Sequence, residues 1–276
     1  MIGRLGGLFG FAMAALAVGA CNGTTGDELV PRFTAYAAGA AGASQPFTAG
    51  GFSVQLTTAK MHIGALYFDE SPPSTGFDSP ICIAPGIYAA QVPGPVEVDL
   101  LSSTPQEFSV FGNGSADSAL SWQIWLTDGD INEPNTAQIV DLEGVATRIS
   151  DSASFSFGAV VTINGNRLPT TSDPSQPGLN PICKERIVQI GRIDVAFFPG
   201  GTLYVMIDPR GWFNLNLDFS TLPLATSASC AGTNPGPTYC IPDTNFATGA
   251  GATQGLNLFT GILTGGPAAY SVRYLQ

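Results

Sequence analysis

Three oxygen-bearing side chains alternate in one short acidic segment, a spacing that can hold a hard cation. Asp128, Asp130 and Asn132 lie in the stretch TDGDINE, and calcium prefers carboxylate and amide oxygens presented by a loop. The segment departs from a helix-flanked calcium loop, because Glu133 takes the place of the required glycine and Ile139 that of the closing glutamate. It therefore predicts either a calcium site in a loop between strands or an Asp-rich turn.

Two of the three tryptophans stand opposite the apolar stripe of their predicted strands. Period-2 alternation would turn Trp125 and Trp212 toward solvent or toward a loop, and Asn214, Asn216 and Asp218 share the face of Trp212. Aromatic rings beside a few polar groups are typical of small-ligand sites, and sugar rings stack on such platforms. The pattern is typical either of a glycan-binding surface or of two rings that pack beneath Pro-rich loops.

The chain offers little material for catalysis. His62 is its single histidine, and neither GxSxG nor HExxH occurs, so no histidine dyad or metal triad can be built. Met61 and His62 could bind copper by ligand type, but neighbours on a strand point to opposite faces. The 21 acidic residues leave a glycosidase-like carboxylate pair open, so a carbohydrate-active enzyme is the alternative to a binding module.

An apolar N-terminal run ends at a cysteine. Residues 5–18 follow Arg4 and are rich in Gly and Ala, which is the order of a secretory signal and too short for a membrane span of roughly 20 residues. Val18-Gly19-Ala20-Cys21 resembles the lipobox of bacterial lipoproteins, which signal peptidase II cleaves before a lipid-carrying cysteine. The resemblance implies a palmitate-bearing Cys21 and, because Asn22 is not the aspartate of an inner-membrane retention signal, an outer-membrane location on the periplasmic or surface face.

Charge excludes two partner classes. The chain has 10 basic against 21 acidic residues, a formal charge of −11, and no basic run. Nucleic-acid-binding proteins need clustered Lys and Arg, and an anionic lipid surface repels an acidic protein. The expected partners are the membrane, through the lipid anchor, and an envelope protein or a glycan.

Four cysteines remain once Cys21 carries lipid. An even number in an exported protein predicts disulfides. Cys230 and Cys240 flank a short Pro/Gly-rich interval, the easiest loop to close, which leaves Cys82 to pair with Cys183. A zinc site is disfavoured because no CxxC pair occurs.

Period-2 alternation recurs through the body of the chain and predicts its fold. With 34 Gly, 21 Pro and only 11% charged residues, the composition suits short strands and turns. We expect an all-β fold, an antiparallel β-sandwich of about a dozen strands with Pro/Gly-rich loops. One of these strands should bury Leu120, Trp122, Ile124 and Leu126 together. Segments 193–197, 203–207 and 213–219 should form a three-strand meander, with an ion pair between Asp208 and Arg210 capped by the Trp212 ring.

The predicted organisation has three parts. Residues 1–20 form the signal peptide, residues 21–50 a lipidated flexible tether rich in Gly, Ala, Ser and Thr, and residues 51–276 one β-sandwich domain. The expected function is that of an outer-membrane lipoprotein with a non-enzymatic binding or structural domain. The alternative is a carbohydrate-active enzyme or a calcium-dependent glycan-binding module.

Overall fold

The chain was analysed as a computed structural model, which describes residues 31–70, 82–83, 88–115, 118–126, 138–162, 182–183, 187–225, 230, 238–243, 249–265 and 269–276. Within these ranges the fold is all-β, as predicted, with seventeen strands and a single α-helix, α1 (Ala252–Thr264). No helix of the described part is long and apolar enough to cross a membrane. In chain order the strands are β1 (Arg32–Gly39), β2 (Phe47–Ala49), β3 (Phe52–Ile63), β4 (Ala65–Asp69), β5 (Cys82–Ile83), β6 (Tyr88–Val92), β7 (Val96–Asp99), β8 (Gln106–Glu107), β9 (Gly112–Gly114), β10 (Ser118–Trp125), β11 (Gln138–Arg148), β12 (Ser154–Thr162), β13 (Ile182–Cys183), β14 (Ile187–Ala196), β15 (Thr202–Ile207), β16 (Tyr239–Ile241) and β17 (Tyr270–Leu275).

Two sheets enclose one core. The larger sheet has nine strands in the order β14-β10-β4-β6-β9-β1-β15-β17, with β8 also paired to β1, and it curls until its edge strands β14 and β17 touch. The smaller sheet has six strands in the order β16-β12-β11-β3-β2, with β7 also paired to β3. Apolar side chains from both sheets form a single buried cluster, which includes Phe33, Phe68, Ile124 and Val205 from the larger sheet and Val54, Met61, Leu142 and Phe157 from the smaller.

Both sheets are mixed, which corrects the expected antiparallel sandwich. β1 runs parallel to β15, and β12 runs parallel to β16. The predicted meander is wrong, because β14 pairs with β10 while β15 lies between β1 and β17. The third segment is not a strand, and it lies between 3-10 helices at Pro209–Phe213 and Phe219–Thr221. Proline fixes the backbone angle at the start of the first, and the Asp208 carboxylate caps it by accepting from the Arg210 amide.

The predicted tether, residues 21–50, extends into the folded domain. Residues 32–49 contain β1 and β2, and β1 is a central strand of the larger sheet. Phe33, Ala35 and Ala37 are at most 1% exposed. The small inward-facing alanines give this strand the composition of a linker, although their size is what lets them pack in the core.

One predicted disulfide is present. Cys230 and Cys240 are bonded across a sequence separation of 10 residues, which ties residue 230 to β16. Cys82 and Cys183 are directly opposite each other in the antiparallel pair of β5 and β13, so the backbone register is compatible with the second bridge. That pairing stays a prediction.

Candidate functional site

A pocket of about 300 Å³ opens on the outward face of the larger sheet, where β6 pairs with β9. Gln91 and Asn113 are register partners across these strands, so their amides share one face. The lining combines one aromatic ring, these two amides, a hydroxyl and backbone groups. The residues are Tyr88, Ala89, Ala90, Gln91, Asn113, Gly114 and Ser115.

The sequence Gly112-Asn113-Gly114 turns the asparagine outward. A Cβ atom on Gly112 would lie 2.1 Å from the Phe33 ring, and one on Gly114 would lie 3.0 Å from Cβ of Phe197. Both glycines therefore face the aromatic core, where a Cβ atom would clash at Gly112 and would be tightly packed at Gly114. Asn113 is the only side chain that β9 carries, and alternation along the strand leaves it on the outer face.

Three aromatic rings form a ladder behind the pocket. Trp125 of β10, Tyr67 of β4 and Tyr88 of β6 are in contact, with centroid distances of 3.9 Å between Tyr67 and Trp125 and 4.6 Å between Tyr67 and Tyr88. Tyr67 lies outward because its neighbours Leu66 and Phe68 fill the core. The ladder runs from a Trp125 ring that is only 4% exposed to the half-buried Tyr88 in the pocket wall. The contact with Tyr67 fixes the position of the Tyr88 ring in the pocket wall.

Three side chains, Asp69, Gln123 and Trp125, are linked by hydrogen bonds into a buried polar chain. It holds Trp125, the buried end of the aromatic ladder, in place. Trp125 Nε1 donates to Gln123 Oε1 at 3.0 Å, and Gln123 Nε2 donates to Asp69 Oδ2. Gln123 and Asp69 are 3% and 6% exposed, and Asp69 Oδ1 has no hydrogen-bond partner among the described residues. Burial raises the pKa of Asp69, and the hydrogen bonds from Gln123 and Ser121 oppose that shift. The hydrogen bonds from Trp125 to Gln123 and from Gln123 to Asp69 orient the Trp125 indole.

The predicted tryptophan platform is only partly correct. Trp125 does lie on the side of its strand away from the core, but its ring is buried beneath other parts of the chain rather than open to solvent. Trp212 is fully buried in a 3-10 helix that packs on α1, so its predicted exposure is wrong. Leu120, expected to point inward, is 40% exposed because the register shifts between Ala119 and Ser121.

The expected ion pair is present without its aromatic cap. Arg210 donates from Nε and Nη2 to the two carboxylate oxygens of Asp208, at 2.8 and 2.6 Å. This hydrogen bonding raises the pKa of Arg210. Trp212 is buried, so its ring does not cap the pair. The pair joins Asp208, which directly follows β15, to Arg210 in the first turn of the next 3-10 helix.

Two further clefts have less suitable chemistry. A cleft of about 730 Å³ is lined by Arg148, Asn216 and Asp218 among others, but its charged groups are engaged: Arg148 Nη1 donates to Asp151, and the Asp218 carboxylate accepts from the backbone and hydroxyl of Ser220. A cleft of about 410 Å³ lies beside β14. Among the residues that the structure describes, each of these three clefts is lined by at most one carboxylate, whereas glycosidases place two across the scissile bond.

Metal binding finds no geometric support in the described part of the chain. The predicted calcium ligands Asp128, Asp130 and Asn132 lie outside the described residues. Among the residues that are described, no group of three or more His, Cys, Asp or Glu side chains could hold an ion. Met61 is buried in the core while His62 contacts Glu97 on the other face of β3, which fits the expectation that these neighbours do not chelate one ion.

Comparison with protein families, with curated proteins and with solved structures finds no match for this chain. The residues that form the pocket therefore have to be judged by their geometry. Sequence reasoning missed Tyr67, Tyr88, Gln91 and Asn113. Two signals were present: the Gly-Asn-Gly alternation of β9 and the polar-aromatic Tyr67 between two core residues.

Proposed function

We propose that this protein is a lipid-anchored outer-membrane lipoprotein. Its β domain binds a glycan in the pocket at β6 and β9, and it does not catalyse a reaction on that glycan. The observation that carries the proposal is the juxtaposition of a fixed aromatic wall with the paired amides of Gln91 and Asn113. Each amide offers both donors and an acceptor, which is what sugar hydroxyls require. The apolar face of a sugar ring packs on an aromatic side chain.

The pocket lining supports binding over catalysis. Among the described residues that line it there is no carboxylate, histidine, lysine or cysteine. General acid–base chemistry at neutral pH depends on such groups. A sugar in this pocket would be held by hydrogen bonds and ring contact, and would leave unchanged.

The anchor rests on the lipobox resemblance at Cys21. Acyl chains contribute about 0.8 kcal/mol per buried methylene, so a doubly or triply acylated Cys21 would hold the domain at the membrane. The test is incorporation of labelled palmitate in a bacterial host. We expect labelling of the wild type and none of Cys21→Ser; label that persists in Cys21→Ser would refute the anchor.

The binding proposal is tested on an array of soluble bacterial and plant glycans, using the mature protein in detergent. Asn113→Ala should weaken binding to the preferred glycan up to about tenfold, because one neutral hydrogen bond contributes about 0.5–1.5 kcal/mol. Asn214→Ala is the matched control, since Asn214 is exposed and is not among the residues that line the pocket. Absence of any glycan ligand, or equal binding by Asn113→Ala, would overturn the proposal.

A further inference from the structure

One cation lies on the strand next to the pocket, whose described lining residues carry no charge. Arg32 of β1 is the register partner of Asn113, so the two side chains share the outward face, with Cα atoms about 4.5–5.5 Å apart. Arg32 is exposed, and its guanidinium lies 4.7 Å from the centroid of the Phe111 ring. Phe111 is itself 51% exposed. An arginine that packs over an aromatic ring is held in position before a ligand binds. Its N–H donors at the edge of the ring can then bind the ligand.

The charge of Arg32 is not neutralised by the described part of the chain. Arg148 pairs with Asp151 and Arg210 with Asp208, whereas Arg32, like Lys60, Arg192 and Arg273, forms no ion pair with any described residue; of these four, Arg32 is the register partner of Asn113 in the pocket wall. This contrast arises in a protein with 21 acidic and only 10 basic side chains. A guanidinium beside a binding pocket and without a carboxylate partner is suited to receive one from a ligand, because guanidinium and carboxylate match in a bidentate geometry.

We propose that the pocket selects acidic glycans, those whose sugar ring carries a carboxylate, and that Arg32 is the residue that determines this specificity. The inference rests on the proposed glycan-binding function and names its ligand class. The sugar ring contacts Tyr88 and the amides, and the carboxylate reaches across β9 to Arg32. A local cation is also what an acidic ligand needs to approach a protein of net charge −11.

The test uses matched oligosaccharides that differ only in the carboxylate: glucan and glucuronan, galactan and galacturonan, mannan and mannuronan. Calorimetric titration of the mature protein at low salt should show, in the series that binds, about tenfold tighter binding of the acidic member. The preference should shrink as salt is raised, because an exposed pair is screened. Arg32→Gln should abolish the preference while the affinity for the neutral member is retained.

Arg273→Gln is the matched control, since Arg273 is opposite Tyr204 on β17, away from the pocket. This variant should keep the preference. If neutral members bind and acidic members bind no better, or if Arg32→Gln keeps the preference, the inference is overturned while the glycan-binding function stands. If no member of any series binds, the proposed function fails and the specificity fails with it.

Discussion

Replacing Gln123 with alanine should destabilise the domain strongly, although a glutamine is removed rather than a large apolar side chain. Gln123 is 3% exposed and accepts from Trp125 Nε1 while donating to Asp69 Oδ2. The substitution leaves both buried groups without this partner. Losing this partner costs each buried group about 1–3 kcal/mol, so the free energy of unfolding should fall by about 2–6 kcal/mol.

The assay is thermal unfolding of the mature protein followed by circular dichroism. At about 2–4 °C per kcal/mol for a chain of this size, Tm should fall by about 4–24 °C. Gln91→Ala is the matched control, because Gln91 is half-buried in the pocket wall. Its Tm should stay within about 2 °C of the wild type, while its glycan affinity falls. A Gln123→Ala protein that melts with the wild type would refute the assigned role of the buried polar chain.

Three other changes probe separate parts of the structure. Gly112→Ala should lower stability by about 1–3 kcal/mol, since its Cβ would lie 2.1 Å from the Phe33 ring; urea denaturation measures this, and an unchanged midpoint contradicts the packing. Burial raises the pKa of Asp69, so the domain loses stability as pH rises through that pKa. Asp69→Asn should therefore have a higher Tm than the wild type at pH 7, and this difference in Tm should vanish below about pH 3. Replacing both Cys230 and Cys240 with serine should cost about 2–4 kcal/mol; calorimetry with no change in Tm would contradict this.

Much of the fold could be predicted from alternation, because a sheet with one buried face imprints period 2 on its strands. Strands such as β3, β11 and β12 show the pattern clearly. Alternation does not indicate which strands become neighbours in a sheet. The parallel pairing of β1 with β15 joins residues far apart in the chain, and Ala35 and Ala37 gave β1 the appearance of a tether.

The candidate site was harder to predict for a related reason. The pocket exists only where β6 pairs with β9, and its aromatic wall needs β4 and β10 beside them. Tyr67, Tyr88 and Trp125 are distant in sequence, so no local motif reveals the ladder. The Trp125 side of its strand was predicted correctly, but its burial depends on tertiary contacts that strand periodicity does not report.

Glycan binding at the pocket is tested most directly by an NMR titration that follows the side-chain amide signals of Gln91 and Asn113 as glycans of the panel are added. If the pocket is the binding site, these two signals shift with saturation, while the Asn216 amide in the largest of the three clefts stays unchanged. Saturating shifts at Asn216 without any at Gln91 and Asn113, or no shift with any glycan, would contradict glycan binding at this pocket.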